Sequence, residues 1–227
     1  MTFSLSDMAF VGSLTSPSAF DFLNPANIGR PVGGGYFAGL ISHTANGNPT
    51  HALIVAPRES GATGPNYPLT TSLSWKTGAT ATTGTNSPFD GAANTAAMVA
   101  AGINNHPAAK FCVDLSIGGL TDWYLPSRFE LDIAYFNLKP STTANNTSWG
   151  ANIYSVPPKS NNTSSIPAQT GVASFNTSFQ AFTPLTHRSS TEATATGAWI
   201  LNMGAGFQSA DNKLTVGAVR AFRRIAL

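Results

Sequence analysis

Between Ser141 and Thr186 the chain carries one charged residue, Lys159, in a run dominated by Asn, Ser, Thr and Pro. Such a stretch has too little apolar patterning to build a core of its own. It must hang as an excursion on a core supplied by the residues on either side, which restricts the fold to one with long connections between short elements. Trp149, Tyr154, Phe175, Phe179 and Phe182 are the side chains that would anchor it. The whole chain is charge-poor, with 10% Asp, Glu, Lys and Arg against roughly 25% in an average soluble domain, so hydroxyls and amides must solvate its surface. Cys112 is the only cysteine, which leaves no intrachain disulfide and no multi-cysteine zinc site. Packing alone must hold the fold, and Cys112, among Ala108, Ala109, Phe111, Val113 and Leu115, reads as a core thiol.

Two short apolar runs, residues 36–41 and 51–57, flank the turn Asn46-Gly47-Asn48-Pro49 and predict a hairpin. Residues 58–88 read as a long loop with a short strand around 73–76. Asp90 is placed to cap an alanine-rich helix over residues 92–101, stopped by Gly102, and Pro107 opens a second helix carrying Cys112. Ser127-Arg128-Phe129-Glu130 is a capping box, and Leu131, Ala134, Tyr135 and Leu138 continue at helical spacing before Pro140. Strand character returns at residues 198–203 and 214–225. The expected class is α+β, a mixed and mostly antiparallel sheet with two or three helices and long loops. Residues 1–32 show no period of 2 or 3.6 and read as an extended N-terminal arm for docking or oligomerisation, covered by a partner subunit or by its own domain. Residues 33–227 form the domain, with residues 141–186 as an exposed excursion.

Three motifs stand in order along the second half: Thr121-Asp122-Trp123-Tyr124-Leu125-Pro126-Ser127-Arg128-Phe129-Glu130-Leu131, then Ser189-Ser190-Thr191-Glu192 followed by Ala198-Trp199, then Val219-Arg220-Ala221-Phe222-Arg223-Arg224. Together they resemble the C-terminal domain family of the Legionella collagen-like adhesin, which occurs in bacterial surface proteins and in phage tail-fibre and tail-tip proteins. The resemblance covers residues 33–227 and implies a C-type-lectin-like fold that binds instead of catalysing. Within it Trp123 fills the core, Pro126 sets the angle of the chain into the helix, and Ser127 and Glu130 cap that helix, with Arg128 in its first turn. Arg220 and Arg223 fall on opposite faces of the last strand, so one points inward and needs a carboxylate, for which Glu192, ahead of the Trp199 strand, is the expected partner. The family carries Tyr-Trp before Ser-Ser-Thr-Glu, where this chain has His187-Arg188. That pair is expected to face solvent or a ligand, which makes Trp149, Tyr154, His187 and Arg188 the candidate ligand contacts.

Catalytic patterns are absent. One cysteine cannot supply the pair that the lectin-like formylglycine-generating enzymes need. His43, His51, His106 and His187 form no HExxH-like pair, there is no GxSxG elbow, and Asp122, Glu130, Asp132 and Glu192 have no spacing that selects sugar hydrolysis. The sugar-binding calcium motifs of animal C-type lectins are also missing, so no metal and no cofactor is expected. A net charge of +2 with scattered basic residues argues against nucleic acid. No apolar run suits a membrane span, and no signal peptide is read at the N-terminus. The resemblance then implies a non-enzymatic virion protein of a phage tail fibre or tail tip, made in the host cytoplasm. It would be a homotrimer that docks to other virion proteins through residues 1–32 and attaches to a host surface glycan or protein. A structural or decoration protein of the capsid or tail is the alternative, and a bacterial surface adhesin the third reading.

Overall fold

The computed structural model describes residues 20–177 and 179–227, so residues 1–19, most of the expected arm, lie outside the described residues. From Phe20 onward the chain covers its own domain. The rings of Phe20 and Phe22 pack on Phe37 with centroids 5.9 and 5.3 Å away. Two short strands follow, β1 (Pro31–Val32) and β2 (Gly35–Ile41), then β3 (His51–Val55), and β2 and β3 form the antiparallel hairpin expected from their flanking turn. After a single helical turn, α1 (Arg58–Gly61), come the two-residue strands β4 (Ala62–Thr63) and β5 (Leu73–Ser74).

The helices lie where local chemistry places them. In α2 (Gly91–Ala100) the Asp90 carboxylate accepts from Ala93 N, and α3 (Pro107–Val113) starts on the proline whose missing N–H costs nothing there. In α4 (Arg128–Leu138) the capping box is complete: Ser127 Oγ accepts from Glu130 N, and Glu130 Oε2 accepts from Ser127 N at 2.7 Å. Strand β6 (Ser155–Val156), a short turn α5 (Ala173–Asn176), and β7 (Thr186–Glu192), β8 (Gly197–Asn202) and β9 (Gln208–Asn212) follow. The chain ends in β10 (Val216–Gly217), β11 (Val219–Arg220) and β12 (Phe222–Ala226).

The class is mixed α+β with antiparallel strand pairing throughout the named strands. One sheet has the order β1-β2-β3-β12 with β6 on the outer side of β2, and β7-β8-β9 form a second. Central β3 is buried on both faces. Ala52 and Ile54 join Phe37, Trp75, Trp123 and Leu125 on one side, while Leu53 and Val55 join Leu131, Tyr135, Phe175 and Phe222 on the other. Its unbroken apolar run follows from that position, and Leu53, Ile54 and Val55 each contribute about 1.5–3 kcal/mol. Helix α4 lies on β2 because Gly39, at φ +137° beside a bulge, lacks a side chain. A Cβ there would stand 2.5 Å from Asn137 Nδ2 and 2.7 Å from Ile133 Cγ2.

One expectation changes and another is refined. The last strand, expected over residues 214–225, is three strands with three partners: β10 pairs with β5, β11 with β4 and β12 with β3. The chain passes through three separate sheets along this stretch, which apolar periodicity does not register. Residues 141–186 keep many exposed positions but are tied to the domain by buried rings and amides. Of the expected anchors, Phe175 and Phe182 are fully buried in its core and Phe179 is exposed, while Asn145, Asn152 and Asn162 are buried as well. Asn145 Nδ2 donates to Thr163 O and Pro167 O, both at 2.9 Å, and Asn152 Oδ1 accepts from Tyr154 N and Ser155 N. Asn145 and Asn152, which look like solvating residues, replace the hydrogen bonds a sheet would have supplied.

Candidate functional site

The three motifs meet in space, through contacts other than those expected. Arg223 of the last motif grips Asp122 of the first with Nε and Nη2, both at 2.8 Å, and its Nη1 reaches Gly33 O. Ser190 N donates to Pro126 O, and Arg128 N to Thr191 Oγ1. Trp123 is buried with Nε1 on Leu120 O. Glu130 is fully buried and accepts from Ser127 N, Gly91 N and Tyr124 Oη, yet burial outweighs these donors and pushes its carboxyl up to about 7. Gly91 is required here, since a Cβ would fall 2.3 Å from Glu130 Oε2.

Glu192 does not pair with either arginine. Lys213, buried beneath it, takes Glu192 Oε2 at 2.7 Å, and Thr82 N donates to the same oxygen. Arg220 is the inward arginine and has no carboxylate in contact among the described residues. Nε and Nη1 donate to Ala56 O and Gln180 O, Nη2 donates to Gln180 Oε1, and Gln180 Nε2 donates onward to Glu59. Two carbonyls and an amide suffice to satisfy a planar guanidinium held against the Phe182 ring.

His187 and Arg188 face neither solvent nor a ligand, with 0% and 1% of their surface exposed. The crossing segment of residues 214–220 lies over them, with Arg188 N bonded to Ala218 O and Arg188 Nη2 to Asp211 and Asn212 O. His187 Nδ1 serves Leu185 O, so its Nε2 accepts from the Tyr67 hydroxyl at 2.8 Å. Burial lowers the imidazole to about 4 and keeps it neutral.

The other two candidate contacts, Trp149 and Tyr154, lie in a band of half-buried rings at the surface. Ring centroids run from His51 to His43 (4.5 Å), to Phe89 (5.2 Å), to Tyr154 (4.3 Å) and to Phe129 (5.7 Å). The Arg128 guanidinium then stands 3.7 Å from the Trp199 ring centroid and 5.1 Å from that of Trp149, and the two indoles meet edge to face at 5.8 Å. The β2–β3 hairpin, the loop before α2, the first turn of α4, the excursion and β8 each supply members. No spacing in the sequence could have gathered His43, Phe89, Phe129 and Gln208 to this face, and Arg128 and Trp199 had looked like framework alone.

Charge along the band is managed at both ends. Arg224 Nη1 donates to Asp90 Oδ1 at 2.7 Å, and Asp90 Oδ2 lies 3.6 Å from His43 Nδ1. Burial lowers His43 to about 4 and lowers His51 as well, so both are neutral at pH 7. At the Trp199 end Arg128 Nε donates to Gln208 Oε1 at 2.6 Å, and Gln208 Nε2 donates to Asp132 Oδ1 at 3.1 Å. Lys159 Nζ lies 2.7 Å from Asp132 Oδ2, an ion contact whose angle falls outside that of a hydrogen bond. Burial lowers the Arg128 pKa and the charge of Asp132 counters it. No family model matches this chain, and no curated protein matches it.

A second surface feature is apolar. A groove of about 290 Å³ lined by Leu40, Ile133, Phe136, Val156, Pro157 and Ile166 adjoins another of about 300 Å³ that shares Leu40, Val156 and Pro157 and extends to Phe22 and Leu23. Among the described residues no group of three or more His, Cys, Asp or Glu is placed to hold a metal ion, and no helix is long and apolar enough to cross a membrane.

Proposed function

We propose that the chain is a non-enzymatic phage virion protein of the tail fibre or tail tip, presenting a C-type-lectin-like domain for attachment to a host surface. The lectin-like reading is supported by the meeting of the three motifs and by the last strand joining the sheet that contains the first. One observation carries the attachment reading: eight half-buried side chains, seven of them rings, form one contiguous band. A domain that buries Trp75 and Trp123 completely has no packing need to keep Trp149, Trp199 and Tyr154 at its surface. Rigid rings among amides supply contact area at low entropic cost. A homotrimer docked to other virion proteins through residues 1–32 would multiply a weak site into firm attachment to a host glycan or protein.

Adsorption of the labelled, purified chain to a panel of bacterial strains tests this reading, with the Trp149→Ala/Tyr154→Ala double variant as control. Wild type is expected to adsorb to at least one strain and the double variant to lose adsorption with unchanged circular dichroism. Adsorption to no strain, or equal adsorption by the folded double variant, would sink the reading. The apolar groove favours a second reading, a structural or decoration protein without receptor binding, in which another copy of the chain covers Phe136 and Ile166. A Phe136→Glu variant that leaves the oligomeric state unchanged would count against that.

A further inference from the structure

We propose that the Arg128 end of the band is a binding site for a carboxylate-bearing sugar, with the carboxylate on the outer edge of the guanidinium and the sugar ring against Trp149. The proposal rests on the attachment reading and names the class of ligand that the band selects.

The guanidinium is fixed before any ligand arrives. Its Nε is held by Gln208, its plane lies over Trp199, and its backbone N–H is tied to Thr191. Nη1 and Nη2 have no hydrogen-bond partner among the described residues, whereas Arg220 and Arg223, in the last motif, have all three guanidinium nitrogens bonded. A pair of N–H groups on one rigid planar edge matches the two oxygens of a carboxylate, and the fixed plane reduces what binding must order.

The charges agree. Arg128 and Lys159 against Asp132 leave one positive charge at this end, whereas Arg224 and Asp90 cancel at the other, where His43 and His51 are neutral. One unmatched cation in a half-buried setting suits one anionic group. It does not suit a polyanion, which needs a row of unpaired cations, and the remaining cations of the band are paired. The indole of Trp149 beside the fork adds an apolar face. An acidic pyranose presents that combination, a carboxylate on the rim of a ring with an apolar C–H face.

The test uses a strain to which the full chain adsorbs and the purified surface polysaccharide of that strain, native and after reduction of its carboxyl groups to alcohols. Native polysaccharide is expected to compete for the chain, and the reduced form to compete roughly tenfold to a hundredfold less well, the range for loss of a charge-assisted hydrogen bond. Arg128→Gln should weaken adsorption by a similar factor with unchanged circular dichroism, Arg128→Lys should restore part of it, and about 1 M salt should weaken it. Equal competition by the reduced polysaccharide, or none by the native form, overturns the carboxylate site and leaves attachment standing. Competition abolished by removal of phosphate or sulfate but not by carboxyl reduction overturns it as well. Adsorption to no strain overturns the attachment reading and this one with it.

Discussion

Two arginines in this molecule sit in the same local device and end in opposite environments. Arg220 lies against Phe182, bonds Gln180, and reaches Glu59 through that amide. Arg128 lies against Trp199, bonds Gln208, and reaches Asp132 through that amide. In each case a glutamine stands between the cation and its carboxylate, so the charge is oriented without a direct ion pair. Around Arg220 the device is sealed, and every guanidinium nitrogen finds a protein acceptor. Around Arg128 it is open on one side, and the nitrogens left over face outward. The same arrangement is framework when covered and a prepared surface when not.

Removing each arginine should separate the two most widely. Arg220→Ala leaves a cavity and strands Gln180 O and Ala56 O without their donor, which should cost on the order of 4 kcal/mol in urea unfolding. Arg128→Ala should cost less, about 1–2 kcal/mol, because only Gln208 Oε1 loses its donor and the outer edge loses no partner among the described residues, while adsorption to cells falls. Equal losses of stability in the two variants would erase the distinction.

Glu192→Gln probes a third polar site, one the sequence assigned to an arginine. With Lys213 fully buried and bonded to Glu192, Thr80 O and Ala195 O, loss of the carboxylate should cost roughly 3 kcal/mol. Unchanged stability in that variant would mean that the two carbonyls alone hold the ammonium, and that direct pairing adds nothing beyond what amide-relayed pairing supplies.

These sites show where sequence reading works. The Ser127–Glu130 box, the Asp90 cap, the Pro107 helix start and the β2–β3 hairpin were legible because their causes lie within a few residues. The burial of His187 and Arg188 was not, because it is imposed by residues 214–220 passing over β7. A His-Arg pair read locally is polar and belongs outside; read with its neighbours it is capped by carbonyls and a tyrosine. The band escaped for the same reason, since its members come from five separate segments. Only Trp149 and Tyr154 were singled out in advance, as large rings in an otherwise polar stretch.

The pH response divides the sealed region internally. His187 titrates at about 4 in the fold and at 6.5 when unfolded, so its contribution is present above 6.5 and is lost as pH falls toward 4, to the extent of roughly 2–3 kcal/mol at pH 4.5. Glu130 works in the opposite sense. Its folded value near 7 exceeds the unfolded 4.5, so its contribution is present below 4.5 and is lost as pH rises toward 7. Between pH 7 and 4.5 the two oppose each other. Glu130→Gln should therefore become more acid-sensitive than wild type and His187→Gln less so, as read from urea midpoints at the two pH values. Parallel shifts in both variants would show that neither group governs the limb.

Trp149→Phe should have the smallest effect and the sharpest meaning. The indole packs edge to face on Trp199 and stands 5.1 Å from the Arg128 guanidinium, in a half-buried position. A phenyl ring keeps an apolar face there and loses area, so stability should change by less than about 0.5 kcal/mol. If the open device around Arg128 is a ligand platform, adsorption should fall between wild type and Trp149→Ala, because ring area sets the contact. If Trp149 is only a cover for Arg128, Trp149→Phe and Trp149→Ala should differ in stability and agree in adsorption. The ordering of three variants on two measurements then tells an exposed ring that serves a ligand from one that serves the fold.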